Sequence, residues 1–294
     1  MEIKPVQAKT LLATHTKPDS WFGCKYNMNL YRGCQHKCIY CDTRSECYQI
    51  ENFEKEILYK ENAIELLKDE LPRKRVKGTI CFGSMNDEYM PIEKDLRLTR
   101  QALEVIVQHR FPVHMMTKSD LILRDLDLLK KISSIYVAAT FTITASDDEL
   151  SKKVEPGAPP SSARFEAIKK LSDQGIYTGI TMMPILPFIE DTDENITSLI
   201  EKAHESGAKY ILAWFGLTMR DRQRTHFYKK LDELFPGMKT KYRKAFGENY
   251  ECNSTRIAEL QSLFESLCLK YGIETKMKFY EPEKPAKQLD LLQS

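Results

Sequence analysis

Three cysteines, Cys34, Cys38 and Cys41, fall within eight residues at spacings of four and three, and nothing else in the 294-residue chain constrains it as strongly. Iron–sulfur clusters are held by cysteine thiolates. Three thiolates in one loop fold around one face of a cubane and leave the fourth iron without a protein ligand, open to the amino and carboxylate groups of a small molecule. Zinc is the competing metal: it takes four ligands and favours CxxC pairs, and His36 or Cys47 is available as a fourth. Three unrelated structural cysteines are the remaining alternative.

Around this loop the chain alternates strand-like and helix-like stretches. Apolar, β-branched runs at 27–32, 79–83, 113–117, 135–143, 176–183 and 210–215 read as strands. Stretches at 56–71, 94–109, 124–132, 161–174 and 193–206 carry apolar residues at helical spacing. Apolar strands separated by amphipathic helices imply a parallel sheet with helices outside it. Six units are too few to close an eight-stranded barrel. The expectation is an α/β fold, a partial (β/α)6 barrel with a C-terminal helical extension, and functional groups at the C-terminal strand ends. The divisions expected are an N-terminal segment 1–25, the barrel 26–218, a basic extension 219–280 with helices at 219–235 and 254–271 and a strand at 273–279, and a disordered tail 281–294.

Composition bounds the rest. The net charge is +2 with 42% apolar residues, so the whole chain is not an obvious polyanion binder. No apolar run approaches the roughly 18 residues of a membrane span, and the N-terminus lacks an apolar stretch with a cleavage site. A cytoplasmic location is expected, and there eight cysteines point to metal or catalysis rather than to disulfides.

The stretch NLYRGCQHKCIYCD (29–42) resembles the cluster loop of radical S-adenosylmethionine enzymes. PIEKDLRLTRQALEVI (91–106), VEPGAPPSSARFEAIKKL (154–171) and GITMMPILPFIEDT (179–192) are similar to the spore photoproduct lyase-like, DNA repair photolyase-like branch of that family. The resemblance spans about residues 21–216 and implies a [4Fe–4S] cluster on Cys34, Cys38 and Cys41, S-adenosylmethionine as the second cofactor, and an electron donor such as flavodoxin or ferredoxin. The reduced cluster would split the cofactor to a 5′-deoxyadenosyl radical that takes a hydrogen atom from substrate, while the protein orients the reactants and excludes water.

Cofactor positions follow from the same resemblance. Tyr40 stands where an aromatic shields the cluster and contacts adenine. Gly83 and Ser84 occupy the place of a glycine-rich motif for the methionine amino group, although this chain reads GSMND there. Thr140, Thr142 and Thr144 share one strand face and offer hydroxyls to ribose, or simply reflect β propensity. Glu155 and Arg164 flank a Pro-rich turn, with Arg164 either paired to the methionine carboxylate or solvated. Gly179 and Ile180 would let adenine lie on backbone. Cys81 resembles the lyase cysteine that returns a hydrogen atom to the product radical, offset by one residue; a buried core thiol is the alternative. Cys24, Cys47, Cys252 and Cys268 form no compact motif, and Cys268 reads as core.

Two features bear on the substrate. Residues 219–246 hold nine Lys or Arg against three acids, interleaved with Tyr228, Phe235, Tyr242 and Phe246. That pattern suits a DNA backbone with stacked bases, or equally a solvated helix face with its rings turned inward. Gln288–Leu292, QLDLL, resembles the peptide by which replication and repair proteins dock on the sliding clamp. Three readings result: a lyase-like radical enzyme acting on DNA lesions, a radical enzyme acting on a peptide or small metabolite, or a non-enzymatic Fe–S or zinc protein that binds nucleic acid.

Overall fold

The computed structural model describes residues 1–282 apart from residues 51 and 54, so the expected clamp-docking peptide lies outside the described residues. Six parallel strands form the centre: Tyr26–Met28, Ile80–Phe82, Val113–Thr117, Val137–Thr142, Tyr177–Met182 and Tyr210–Ala213, here the first to the sixth. They lie side by side in chain order, and Leu12–Thr14 adds an antiparallel edge beside the first. The first and sixth strands are not neighbours, so the sheet is an open partial barrel, as the six-unit pattern predicts.

Side-chain alternation divides the sheet into two faces. Ile80 and Phe82, Val113 and Met115, and Val137, Ala139 and Phe141 point outward into the main core with Leu103, Ile106, Leu129, Ile168 and Ile200 of the covering helices. The intervening residues point into the lumen: Cys81, His114, Thr140 and Thr142, Gly179 and Tyr210. These helices end where chain chemistry dictates. Thr192 Oγ1 caps Asp193–Glu205 by accepting from Asn195 N at 3.2 Å, and Gly207 in the left-handed region follows its end.

Several boundaries differ from the sequence pattern. The 56–71 stretch is a strand, Glu56–Lys60, followed by a helix, Ala63–Glu70. That strand pairs with Glu2–Val6 and with Tyr31–Arg32 in a small separate sheet that carries the cluster loop. The 94–109 helix is broken at Arg97, which is left-handed. The extension holds the helices Asp221–Leu234, Met238–Phe246 and Ile257–Tyr271 and a hairpin of Gly216–Thr218 with Glu251–Asn253. The expected strand at 273–279 is reduced to a single bridge between Tyr210 and Glu274.

The lumen is layered. At the N-terminal ends of the strands, the Phe22 ring stacks on His114 at 5.0 Å. His114 Nε2 is hydrogen-bonded to Thr140 Oγ1 at 2.6 Å, and Thr140 in turn to the Tyr210 hydroxyl at 2.5 Å. Burial pushes the His114 imidazole down to about 4, so it is neutral. The Tyr210 ring covers Gly179, where a Cβ would meet it at 2.4 Å. Gly179 is thus a packing glycine beneath a tyrosine. Gly179→Ala should overpack this layer and cost about 1–3 kcal/mol in chemical denaturation; unchanged stability would contradict the packing described.

Candidate active site

The cysteine loop leaves its short strand at Gly33, which is left-handed and has Glu56 O only 2.7 Å from where a Cβ would sit. The loop is then held from two sides. Ile39 N donates to Val154 O and Gly157 N to His36 O, each at 2.9 Å. A Cβ on Gly157 would fall 2.1 Å from Gln35 O, so only glycine lets the 154–157 segment approach so closely. On the other side, Gln223 Nε2 donates to Tyr40 O at 3.0 Å and Arg222 Nε to Arg44 O at 2.6 Å. Arg220 pairs with Asp42 at 3.0 Å.

The three thiols converge. Cys34, Cys38 and Cys41 line one cleft with Gly83, Ser84, Asn86, Asp87, Met116, Thr117, Lys118 and Thr142, residues at the C-terminal ends of the second, third and fourth strands. A larger cavity, about 480 Å³, lies by Lys37, Lys152, Lys153 and Lys230 but is lined by no thiol. Donor chemistry rather than size locates the site. Burial pushes the Cys34 thiol up strongly and the Cys38 thiol up to about 12. Metal binding must therefore displace these protons.

Behind the thiols lies a buried charge network. Glu155 accepts from the Tyr40 hydroxyl and from the Arg164 guanidinium. Arg164 also donates to Thr142 O and Pro159 O, both at 2.9 Å. Lys118 Nζ stands 4.0 Å from Glu155. Burial alone would raise the Glu155 carboxyl, but Arg164 and Lys118 hold it below the usual range. Burial opposes the Lys118 charge, while Cys38, Glu155 and Asp87 outweigh it and hold its ammonium above the ordinary value. Asp87 accepts from Thr117 Oγ1 at 2.7 Å and Lys118 N at 2.6 Å. His36 is buried, which pushes its imidazole below the ordinary value against the pull of Asp87 3.4 Å from Nδ1, and among the described residues neither ring nitrogen makes a hydrogen bond.

The residues singled out from sequence therefore separate. Gly83, Ser84 and Thr142 join the thiols in the cleft. Tyr40, Glu155 and Arg164 form the support behind it, and the Arg164 guanidinium is committed to Glu155 and two carbonyls, which leaves it unsuited to a cofactor carboxylate. Thr140 and Gly179 lie one layer deeper. Cys81 is also deeper, two residues before Gly83, and is bonded to Cys24, a contact between positions 57 apart that spacing does not show. Cys268 is core, as expected. Tyr228, Tyr242 and Phe246 are buried with Leu231 against the cluster loop, and Phe235 packs on them, so these rings are not free to stack on bases. Asp87 and Lys118 escaped the sequence reading; the signal was their place just past a strand end.

The Radical SAM superfamily model matches residues 28–203, more than half of the chain. The chain belongs to the radical SAM superfamily. That membership implies a [4Fe–4S] cluster and S-adenosylmethionine, and the donor set fits: three convergent thiols and, among the described residues, no fourth thiol lining the cleft and no partner for the nitrogens of the buried His36. An uncharacterised protein of Methanocaldococcus jannaschii is 38% identical over 195 residues, covering 66% of this chain and 71% of its own length. A radical SAM Nα-GlyT isomerase of Pseudomonas phage M6 is 28% identical over 151 residues, 51% of this chain and 31% of that protein. A spore photoproduct lyase complexed with a dinucleoside spore photoproduct superposes with a TM-score of 0.69 at 15% identity, covering 92% of this chain and 81% of that one. At that identity the likeness shows a shared fold.

Glu155→Gln leaves a buried guanidinium uncompensated and should cost about 3–5 kcal/mol. Because the folded carboxyl titrates below its unfolded value of about 4.3, the pair's contribution is complete above that pH and fades as pH falls through the lower folded value. Denaturation of the radical SAM chain at neutral and acid pH should show the variant's deficit shrinking in acid. Equal stability at neutral pH would contradict the network.

Proposed function

We propose that the chain is a radical SAM enzyme acting on a nucleic acid, in the manner of a lesion lyase. The observation that carries the radical chemistry is the convergence of Cys34, Cys38 and Cys41 with three strand ends on one cleft. When bound there, a [4Fe–4S] cluster supplies the electron that splits S-adenosylmethionine into methionine and a 5′-deoxyadenosyl radical. Gly83 keeps backbone close to that cleft: it is left-handed, and a Cβ would press on Met116 O at 2.7 Å. Ser84, held by Asn27 and Asn29, presents a hydroxyl at the strand end. Lys118 and Asp87 offer one cation and one anion, the complement of a zwitterionic amino acid.

For the substrate, support comes from the fold shared with a lyase whose bound ligand is a dinucleoside photoproduct, and from the basic extension. Arg220, Arg222 and Arg224 are spent within the protein, on Asp42 and on backbone carbonyls. Lys229, Lys241, Arg243 and Lys244 stay exposed. This extension thus suits contact with phosphates through charge, not through ring stacking.

Anaerobic reconstitution should give about four irons per chain, and dithionite with S-adenosylmethionine should yield 5′-deoxyadenosine. Cys34→Ala, Cys38→Ala and Cys41→Ala should each abolish the product; undiminished cleavage in any of them would refute the assignment. Deuterium from labelled lesion-bearing DNA should appear in 5′-deoxyadenosine. Label arriving only from a peptide or metabolite would overturn the nucleic-acid reading while leaving the radical chemistry intact.

A further inference from the structure

The lumen holds a second set of ligating side chains that the cleft does not use. Cys24, Cys81 and His114 are all buried, and one donor atom of each lies within 4.8 Å of the other two. Cys24 precedes the first strand. Cys81 and His114 face each other in register on the second and third. The two cysteines form a disulfide, with their Cα atoms 5.6 Å apart.

His114 supplies the observation that points to a ligand. Its Nε2 is taken by Thr140 on the fourth strand, while its Nδ1 is buried with no hydrogen-bond partner among the described residues. The third strand lies between the second and the fourth. Cys81 faces His114 in register from the second strand, and a ligating atom of Cys81 stands within 4.8 Å of one of the ring nitrogens. A buried nitrogen left unpaired costs about 1–3 kcal/mol, so the layer is incomplete without a partner for Nδ1.

We propose that the reduced side chains of Cys24 and Cys81, together with His114, bind a zinc-class divalent ion in the barrel lumen, and that the disulfide is the oxidised, metal-free form of the same site. Two thiolates and an imidazole are the donors that borderline-soft ions select. Two thiolates also cancel a divalent charge, so the occupied site is neutral overall and suits a buried layer. The Thr140–Tyr210 pair on the far nitrogen fixes the ring, as the outer partners of metal-bound histidines do. Asp19 is not a ligand: its carboxylate accepts from Phe22 N and Cys24 N, each at 2.7 Å, and so positions Cys24. Three protein ligands leave one position for water.

The chemistry balances simply. A phosphine or dithiol reductant delivers two electrons, two protons are taken up, the S–S bond opens and two thiols form. Binding the ion then releases those two protons. In tetrahedral geometry the sulfurs stand about 3.8 Å apart, with metal–sulfur bonds of about 2.3 Å. The ion's ligand Cys81 lies two strand residues, or roughly 7 Å, beneath Gly83. The ion would pin the floor of the radical cleft under reducing conditions and be lost on oxidation.

The test uses the full chain with its iron–sulfur cluster reconstituted, so that the cluster loop is filled. Protein reduced with tris(2-carboxyethyl)phosphine, exposed to zinc sulfate and desalted should retain one zinc per chain beyond its iron. Zinc-edge X-ray absorption should show two sulfurs at about 2.3 Å and nitrogen or oxygen neighbours at about 2.0–2.1 Å. The same protein oxidised with diamide should retain none, and the double variant Cys24→Ser, Cys81→Ser should lose the zinc but keep the iron. Should that variant fail to fold, the oxidised and reduced forms of the native chain decide the matter. No zinc on the reduced chain, zinc with three sulfur neighbours, or equal zinc in both redox forms would overturn the proposal.

Discussion

The buried Glu155 carboxylate is the point on which the active site leans. It joins the cluster loop through Tyr40, the 161–172 helix through Arg164, and the end of the third strand through Lys118. Arg164 carries the tie on to the fourth strand through Thr142 O. Four separately folded pieces are thus fixed relative to the thiols by one charge network in a medium of low dielectric, where geometry is sharply enforced and an unpaired partner is costly. The backbone bonds from Val154 and Gly157 to the loop extend the same contact. A loop this short has no core of its own; neighbouring segments supply its rigidity.

The C-terminal extension completes that support. Phe227, Leu231, Tyr242 and Phe246 bury against Ile39 and Tyr40, and burial of this kind is worth about 1.5–3 kcal/mol for a large apolar side chain. The aromatics that look suited to stacking on bases are therefore the floor beneath the cysteine loop. The positive charge of the extension is divided in the same way. Its arginines at 220, 222 and 224 hold the loop and the hairpin, while lysines further along meet solvent.

Much of this was legible in the sequence because it rests on local patterns. The cysteine spacing, the period-two strands and the helical periodicities each announce themselves within a few residues. What escaped depends on contacts between distant positions. EILYK at 56–60 has enough apolar residues to pass as the first turn of the helix that follows, and only its partners at 2–6 and 31–32 make it a strand. Gly179 is explained by Tyr210 on the neighbouring strand, and Arg164 by Glu155 with Tyr40 and Thr142. Cys24 and Cys81 meet because the first and second strands are adjacent. Asp87 and Lys118 were within reach, since residues just past parallel strand ends are where such folds place their chemistry.

The radical chemistry proposed for this cleft requires that three thiolates hold a cubane whose fourth iron is left for a small molecule. Electron–nuclear double resonance on the reduced cluster, with S-adenosylmethionine labelled with nitrogen-15 in its amino group, tests this most directly. A hyperfine coupling from the labelled nitrogen should appear only when the nucleotide is added. A spectrum unchanged by the nucleotide, or one showing a histidine nitrogen or a fourth cysteine bound to the cluster in its place, would contradict that arrangement.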